Sequence, residues 1–179
     1  CKNALIDNNN DIEKAVEQLR KKGLAKAAKK ISREATEGAV GIFYNDSQVI
    51  ILKMNSETDF AAKSDTFLNY VDYLGEAALS LNNINLTKDE FLKSNYKGAN
   101  IKDSINTMIA KIGENLILND LISFSNNNYF NYYIHNSYRK NIGKIISYIR
   151  YKASEKNNNV DNFSKNLCMH IAAMKPESL

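Results

Sequence analysis

Histidine and cysteine, the side chains that most often carry nucleophilic or metal chemistry, are scarce in this sequence, which has two of each. Only Cys168 and His170 lie near each other, two positions apart in a segment with helical periodicity. Side chains at i and i+2 of a helix point to different faces, so this pair is a poor nucleophile–base dyad. No G-x-S-x-G, H-E-x-x-H or phosphate-loop pattern is present. We therefore expect no catalytic residue, no metal site and no cofactor.

A second candidate is an aromatic residue between a predicted strand and a predicted helix, in the segment T-D-F-A-A-K at 58–63. Two interpretations remain open. Spacing alone favours a hydrophobic staple, in which Phe60 packs back on the core where the helix begins. The alternative is that Phe60 is exposed and serves as an anchor for a pocket on a partner.

The positive charge is confined to the N-terminal fifth of the chain. Residues 1–35 hold nine Lys or Arg and five Asp or Glu, which accounts for the net charge of +4, while the remaining chain holds 15 of each. This segment could bind RNA, but its charges are mixed and it has no aromatic side chain to stack on bases. We therefore favour a solvated face or a protein contact and expect no direct nucleic-acid binding.

The same segment has helical patterns throughout. Apolar residues recur at helical spacing over 12–19. Asn10 is the predicted N-cap of this helix and Gly23 its predicted C-terminal stop. A further helix is predicted from Leu24 to Ala35.

From Gly38 onward, strand-like and helix-like segments follow one another in blocks. The predicted strands cover 39–44, 48–54, 116–118 and 121–124 (which could be one bulged strand), 129–134 and 142–151. The predicted helices cover 67–81, 87–94, 101–112 and 163–174. Helices and antiparallel hairpins in blocks predict an α+β fold. No run approaches the roughly 18 to 20 apolar residues of a membrane span, so no membrane is expected.

Four stretches resemble one family. The segment N-S-E-T-D-F-A-A-K at 55–63 closely resembles the N-[CS]-[EQ]-T-D-F-V-A-[KR] signature of elongation factor Ts. Three others agree with that family in the same order along the chain. They are C-K-N-A-L with D-I-E-K-A at 1–5 and 11–15, R-K-K-G-L-A-K-A-A-K-K at 20–30 with E-G at 37–38, and M-H-I-A-A-M-K-P at 169–176.

The resemblance implies a guanine-nucleotide exchange factor that binds elongation factor Tu, GDP-bound or nucleotide-free, without bond-making chemistry. It also implies three regions: an incomplete helical domain similar to ubiquitin-associated domains at 1–23, a helical linker at 24–37, and the N-terminal half of an α+β core at 38–179. The chain is then expected to be a fragment or a shortened relative, and a homo-oligomer is possible in the complex.

The resemblance also implies roles for particular residues. Asp59 and Phe60 resemble the pair that reaches into the G domain of the partner, with Phe60 as a wedge near the Mg²⁺ and phosphate site. His170 resembles the family histidine on the partner's phosphate-binding side, and Asn141 replaces the basic residue of an R-I-G contact turn. The residues expected to contact the partner are Lys2, Thr58, Asp59, Phe60, Ile142, Gly143 and His170.

Two rival classes remain besides an exchange factor: a ubiquitin-associated-type peptide-binding module with an unrelated core, and an RNA-binding accessory protein of translation. The compartment is inferred from composition, which includes 26 Asn and 20 Lys against 4 Arg and is typical of an AT-rich genome. With the missing initiator Met, this favours an organelle (plastid, apicoplast or mitochondrion), with a bacterial cytoplasm as the alternative.

Overall fold

The structure, a computed structural model, describes residues 2–155 and 157–176; Cys1, Lys156 and 177–179 lie outside it. The helices are α1 (Lys2–Asp7), α2 (Ile12–Ala28), α3 (Asp59–Lys63), α4 (Asp65–Ser80), α5 (Lys88–Lys93), α6 (Ile101–Ile112) and α7 (Asn158–Met174). The strands are β1 (Glu37–Tyr44), β2 (Gln48–Ser56), β3 (Asn95–Tyr96), β4 (Ala99–Asn100), β5 (Leu116–Ser125), β6 (Tyr129–Arg139) and β7 (Ile142–Tyr151).

Five of the strands form one antiparallel sheet in the order β5-β2-β1-β7-β6, which confirms the α+β class. The segment 116–125 is a single strand, and its pairing with β2 shifts register between Lys53 and Met54, as expected of a bulged strand. The short hairpin of β3 and β4 was not expected from the sequence. It turns through Lys97 and Gly98, which both have positive φ.

The main core lies between the sheet and α4. Helix α4 approaches the sheet closely because Gly75 faces the ring of Phe43, and a β-carbon at Gly75 would lie 2.3 Å from that ring. Phe43, Phe67, Val71 and Leu74 are buried there together. The helix therefore sits in a fixed position above β1 and β2.

The opposite face of the sheet is covered by other strands of the same sheet. Ile42 and Val49 are fully buried on that face. The rings of Phe124 on β5 and Tyr148 on β7 lie 4.8 Å apart, although β2 and β1 separate those strands in the sheet order. The sheet must therefore curl, so that the β6–β7 hairpin folds over this face.

Helix α7 packs on the outer side of the β6–β7 hairpin. The Ser147 hydroxyl donates to the Cys168 carbonyl oxygen at 2.6 Å. The Asn131 amide donates to Ser164, and both residues are buried. Because Ser147 and Asn131 alternate along their strands with aromatic residues, α7 and the aromatic face lie on opposite sides of the hairpin.

The N-terminal helices differ from the prediction. Helix α2 runs through Gly23 without a stop and packs against α6, where a β-carbon at residue 23 would make an ordinary contact with Ala110 at 3.4 Å. Asp11, not Asn10, is the N-cap. The predicted helix at 24–35 is wrong beyond Ala28. The division at residue 23 therefore falls inside one helix, and the three-region organisation stays a prediction.

Two mid-helix glycines give opposite predictions for substitution by alanine. Gly75→Ala should lower the free energy of unfolding by about 1 to 3 kcal/mol, because the new methyl overlaps the Phe43 ring. Gly23→Ala should raise it by up to about 1 kcal/mol, because alanine favours the helix and fits against Ala110. Urea unfolding of both variants checks this pair. Equal effects would contradict the close packing of α4.

The N-terminal half of α2 should open more easily than the β1–β2 hairpin. Ile12 and Val16 are 70% and 59% exposed, whereas the hairpin strands are largely buried. Amide hydrogen exchange should therefore be faster over 2–19 than over the hairpin. Equal protection of the two regions would count against an N-terminal region that is separate from the core.

Candidate partner-binding site

Helix α3 is only five residues long because a cap stands at each end. The Thr58 hydroxyl accepts a hydrogen bond from the Ala61 amide at 3.2 Å and begins the helix. Ser64, with extended backbone, ends it, and its hydroxyl accepts from the Phe67 amide at 3.3 Å to begin α4. The chain therefore makes one short helical turn between β2 and α4.

This turn has a buried side and an exposed side. Ala61 and Ala62 are 8% and 0% exposed and pack towards the core, whereas Phe60 is 84% exposed. The small methyl side chains let the turn lie close to the sheet, and the aromatic ring points away from it. The staple interpretation favoured by spacing alone is therefore wrong.

The carboxylate beside this ring is ionised and held in place. The Lys63 ammonium donates to Asp59 Oδ2 at 2.9 Å, one helical turn away. This hydrogen bond holds the pKa of the Asp59 carboxyl below its usual value and raises the pKa of Lys63. An exposed aromatic ring and an adjacent negative charge therefore face solvent together.

Two glutamates link the start of α3 to the segment before β5. The Thr58 amide and hydroxyl donate to the two oxygens of Glu114, at 3.0 and 2.7 Å. The Asn115 amide in turn donates to Glu57 Oε1 at 2.6 Å. Sequence reasoning missed both carboxylates, since no local pattern marks a contact between residues 56 or 58 positions apart.

The segment between α2 and β1 is fastened beside the same turn. The Asn115 side chain donates to the carbonyl oxygens of Ile31 and Arg33, and Asn55 donates to that of Ala35. Arg33 also lies 3.5 Å from Glu57. Hydrogen bonds therefore link the segment that leads into β1 to the segment that leads into α3.

His170 is exposed on α7, as predicted. Lys144, near the start of β7, pairs with Glu37 at the start of β1, and it lines a cleft with Met169 and Ala173 of α7. Glu37 itself pairs with Ser56 at the end of β2, directly before the α3 turn. Lys144 and Glu37 therefore connect the C-terminal part of α7 to the segment that leads into α3, and a contact surface shared by His170 and Phe60 stays a prediction.

The remaining expected contacts divide between surface and interior. Ile142 is fully buried and pairs with Gly41, so its side chain is interior, and its expected contact with a partner stays a prediction. Gly143 is also buried, because a β-carbon there would lie 2.4 Å from Ile134. Both residues lie in β7, opposite the middle of β1. Lys2 is exposed at the start of α1, which packs on α2.

Cys168 and His170 are separated as their spacing predicts. The cysteine is fully buried and its thiol pKa is raised by that burial, whereas the histidine faces solvent.

Over 2–155 and 157–176, no group of three or more His, Cys, Asp or Glu is placed to hold a metal ion. No helix in those ranges is long and apolar enough to cross a membrane.

The fold and this surface define an α+β protein that presents an exposed Asp-Phe pair on a short capped helix. Comparison with known proteins gives the family. The model of the family described as elongation factor TS matches residues 57–179. The chain therefore belongs to the elongation factor Ts family.

Bacterial relatives agree with this assignment. Elongation factor Ts of Ehrlichia chaffeensis is 39% identical over the whole chain, and the match covers 62% of that relative. The Campylobacter hominis protein is 39% identical over 98% of the chain and the Ruegeria protein 35% over all of it, covering 49% and 58% of those relatives. The chain thus spans about half to three fifths of the length of these proteins.

Removing the exposed ring should leave the fold intact. Phe60→Ala should change the melting temperature little, because a ring that is 84% exposed contributes little burial. The matched control is Phe67→Ala, seven residues on, where truncation of a fully buried ring should cost about 3 to 5 kcal/mol. Thermal denaturation of both variants checks the contrast, and equal destabilisation would contradict the exposed position of Phe60.

Proposed function

We propose that this protein is a translation elongation factor that binds elongation factor Tu and promotes the release of GDP. The observation that carries the proposal is the exposed ring of Phe60 on a capped helix, beside the ionised Asp59. A large apolar side chain held away from its own core is suited to enter another molecule. Membership of the elongation factor Ts family supports this choice of partner.

Such a protein needs no catalytic group. Exchange follows from coupling, since the factor and the nucleotide each weaken the binding of the other to the same G protein. Phe60 would enter between helices of the G domain near the Mg²⁺ and phosphate site, and Asp59 would bring a negative charge to that region. The displaced helices would hold the nucleotide less well, and GDP would leave faster.

Other residues take supporting roles in this proposal. Thr58 holds the turn as its N-cap, and the exposed His170 adds a contact from α7. Lys2 offers a separate contact from the N-terminal helices. Ile142 and Gly143 act by shaping β7, the strand that pairs with β1. The partner in this scheme is GDP-bound or nucleotide-free, and a second copy of the chain could join the complex.

The proposal is tested by nucleotide release from elongation factor Tu loaded with fluorescent GDP. Wild-type protein should accelerate release, and Phe60→Ala should lose about 2 kcal/mol or more of that effect, a roughly thirtyfold slower rate. A Phe60→Ala variant that melts like the wild type and exchanges at the full rate would refute the assigned role.

RNA binding at increasing salt and the rate of GDP release, both measured with the wild-type protein, distinguish the rival classes. Binding to an RNA should weaken steeply as salt rises, because it depends on phosphate contacts. A peptide-binding module would bind without changing the rate of GDP release. Steep salt-dependent RNA binding without exchange would favour the accessory-protein class.

The compartment is also a proposal. The composition rich in Asn and Lys supports an organelle with a bacterial-type translation system, a plastid, apicoplast or mitochondrion. The relatives named above are bacterial, which favours the alternative of a bacterial cytoplasm.

A further inference from the structure

Beyond the end of β2, hydrogen bonds from two glutamate side chains take the place of the backbone hydrogen bonds between β2 and β5. The last backbone pair joins Ser56 to Leu116. The next positions in that register are Glu57 opposite Asn115 and Thr58 opposite Glu114. Each glutamate accepts a hydrogen bond from the backbone amide of the residue across, Glu57 from Asn115 and Glu114 from Thr58. The segment after β2 and the segment before β5 therefore stay paired for two more residues, up to the N-cap of α3.

The contact with Glu114 has a local counterpart elsewhere in the chain. At the start of α5, Thr87 is the N-cap and Glu90, three residues on, accepts hydrogen bonds from the Thr87 amide at 2.9 Å and hydroxyl at 2.7 Å. The Glu90 amide donates back to the Thr87 hydroxyl at 3.3 Å. This is a capping box, in which the glutamate at the third helical position satisfies the start of its own helix.

Helix α3 cannot contain that glutamate itself. Its third position is Ala61, which is 8% exposed and packs towards the core. A carboxylate there would be buried, and burial of a charge is unfavourable. Glu114 reproduces the two bonds of the capping box from the start of β5 instead, with nearly the same lengths, while the Ala61 amide still donates to the Thr58 hydroxyl.

The geometry of the hydroxyl shows what this contact does. A threonine hydroxyl has one proton and can accept through its lone pairs. The short bond to Glu114 takes the proton, so the lone pairs are directed to the Ala61 amide that begins the helix. Without Glu114 the hydroxyl could rotate and the amide of Thr58 would lose its partner.

We infer that Glu114 is a positioning residue for Phe60: it completes the cap of α3 from a distant part of the chain and so fixes the direction in which the exposed ring points. This inference rests on the proposed exchange function. It assigns a role in that function to a residue that never touches the partner in the scheme above.

The experiment compares Glu114→Ala with Glu90→Ala. Both changes remove a carboxylate that accepts from the amide and hydroxyl of an N-cap threonine, but only the first lies next to Phe60. In the GDP-release assay, Glu114→Ala should slow exchange about tenfold, since two charge-assisted bonds are lost. Glu90→Ala should exchange at the wild-type rate. Glu114→Gln, which keeps one carbonyl acceptor, should lie between Glu114→Ala and wild type.

A double variant separates positioning from general destabilisation. If Glu114 acts through the ring, Phe60→Ala with Glu114→Ala should exchange no more slowly than Phe60→Ala alone. A second readout does not need the partner: the Ala61 and Ala62 amides should exchange hydrogen faster in Glu114→Ala and at the wild-type rate in Glu90→Ala. If Glu114→Ala does not fold, Glu114→Gln supplies both measurements.

The outcomes distinguish the two proposals. A wild-type protein that exchanges, with Phe60→Ala slow and Glu114→Ala and Glu114→Gln both at the wild-type rate, overturns the positioning role and leaves the exchange function standing. A double variant slowed by the product of the two single effects overturns it as well. A wild-type protein that does not accelerate GDP release overturns the exchange function, and with it the role of Glu114.

Discussion

The packing of the Phe43 ring against Gly75 determines where α4 and α3 lie. At this point β1 and α4 come closer than any side chain at residue 75 would permit, so α4 has one position on the sheet. Ser64 caps α4 and also ends α3, which means that placing one helix places the other. Ala62 is then buried in the same core, and Phe60 is directed to the surface. The exposed aromatic is thus a consequence of how the core packs and not an isolated surface feature.

Much of this fold could be predicted from the sequence because its elements have clear periods. The hairpin of β1 and β2, the amphipathic helices α4 and α6, and the bulged β5 all follow from local patterns. The errors lie where tertiary contacts override local preference. Gly23 is a residue that often ends a helix, but here α2 packs against α6 and continues to Ala28. The β3–β4 hairpin is two residues long on each side, too short to show alternation.

The site was predictable in its location but not in its orientation. A motif identifies Phe60, yet spacing alone could not show which side of a five-residue helix faces the sheet. That choice is made by Ala61 and Ala62, whose methyl groups fit against the core. The resemblance placed Ile142 at a contact surface, whereas its side chain is interior, because a motif records residue types and not exposure. The carboxylates of Glu57 and Glu114 were missed because their partners are more than fifty residues away.

The caps on either side of α3 also affect how the protein can associate. A ring carried on a flexible loop would lose backbone conformational entropy on docking, at about 1 to 2 kcal/mol for each residue that becomes ordered. Here the backbone of Phe60 is already helical before any encounter, so mainly the two torsions of its side chain remain to be restricted. Little of the interaction free energy is then lost to ordering, so the same set of contacts gives tighter binding than it would from a flexible loop. A five-residue helix with a cap at each end therefore presents the ring in a conformation that needs little reordering on contact.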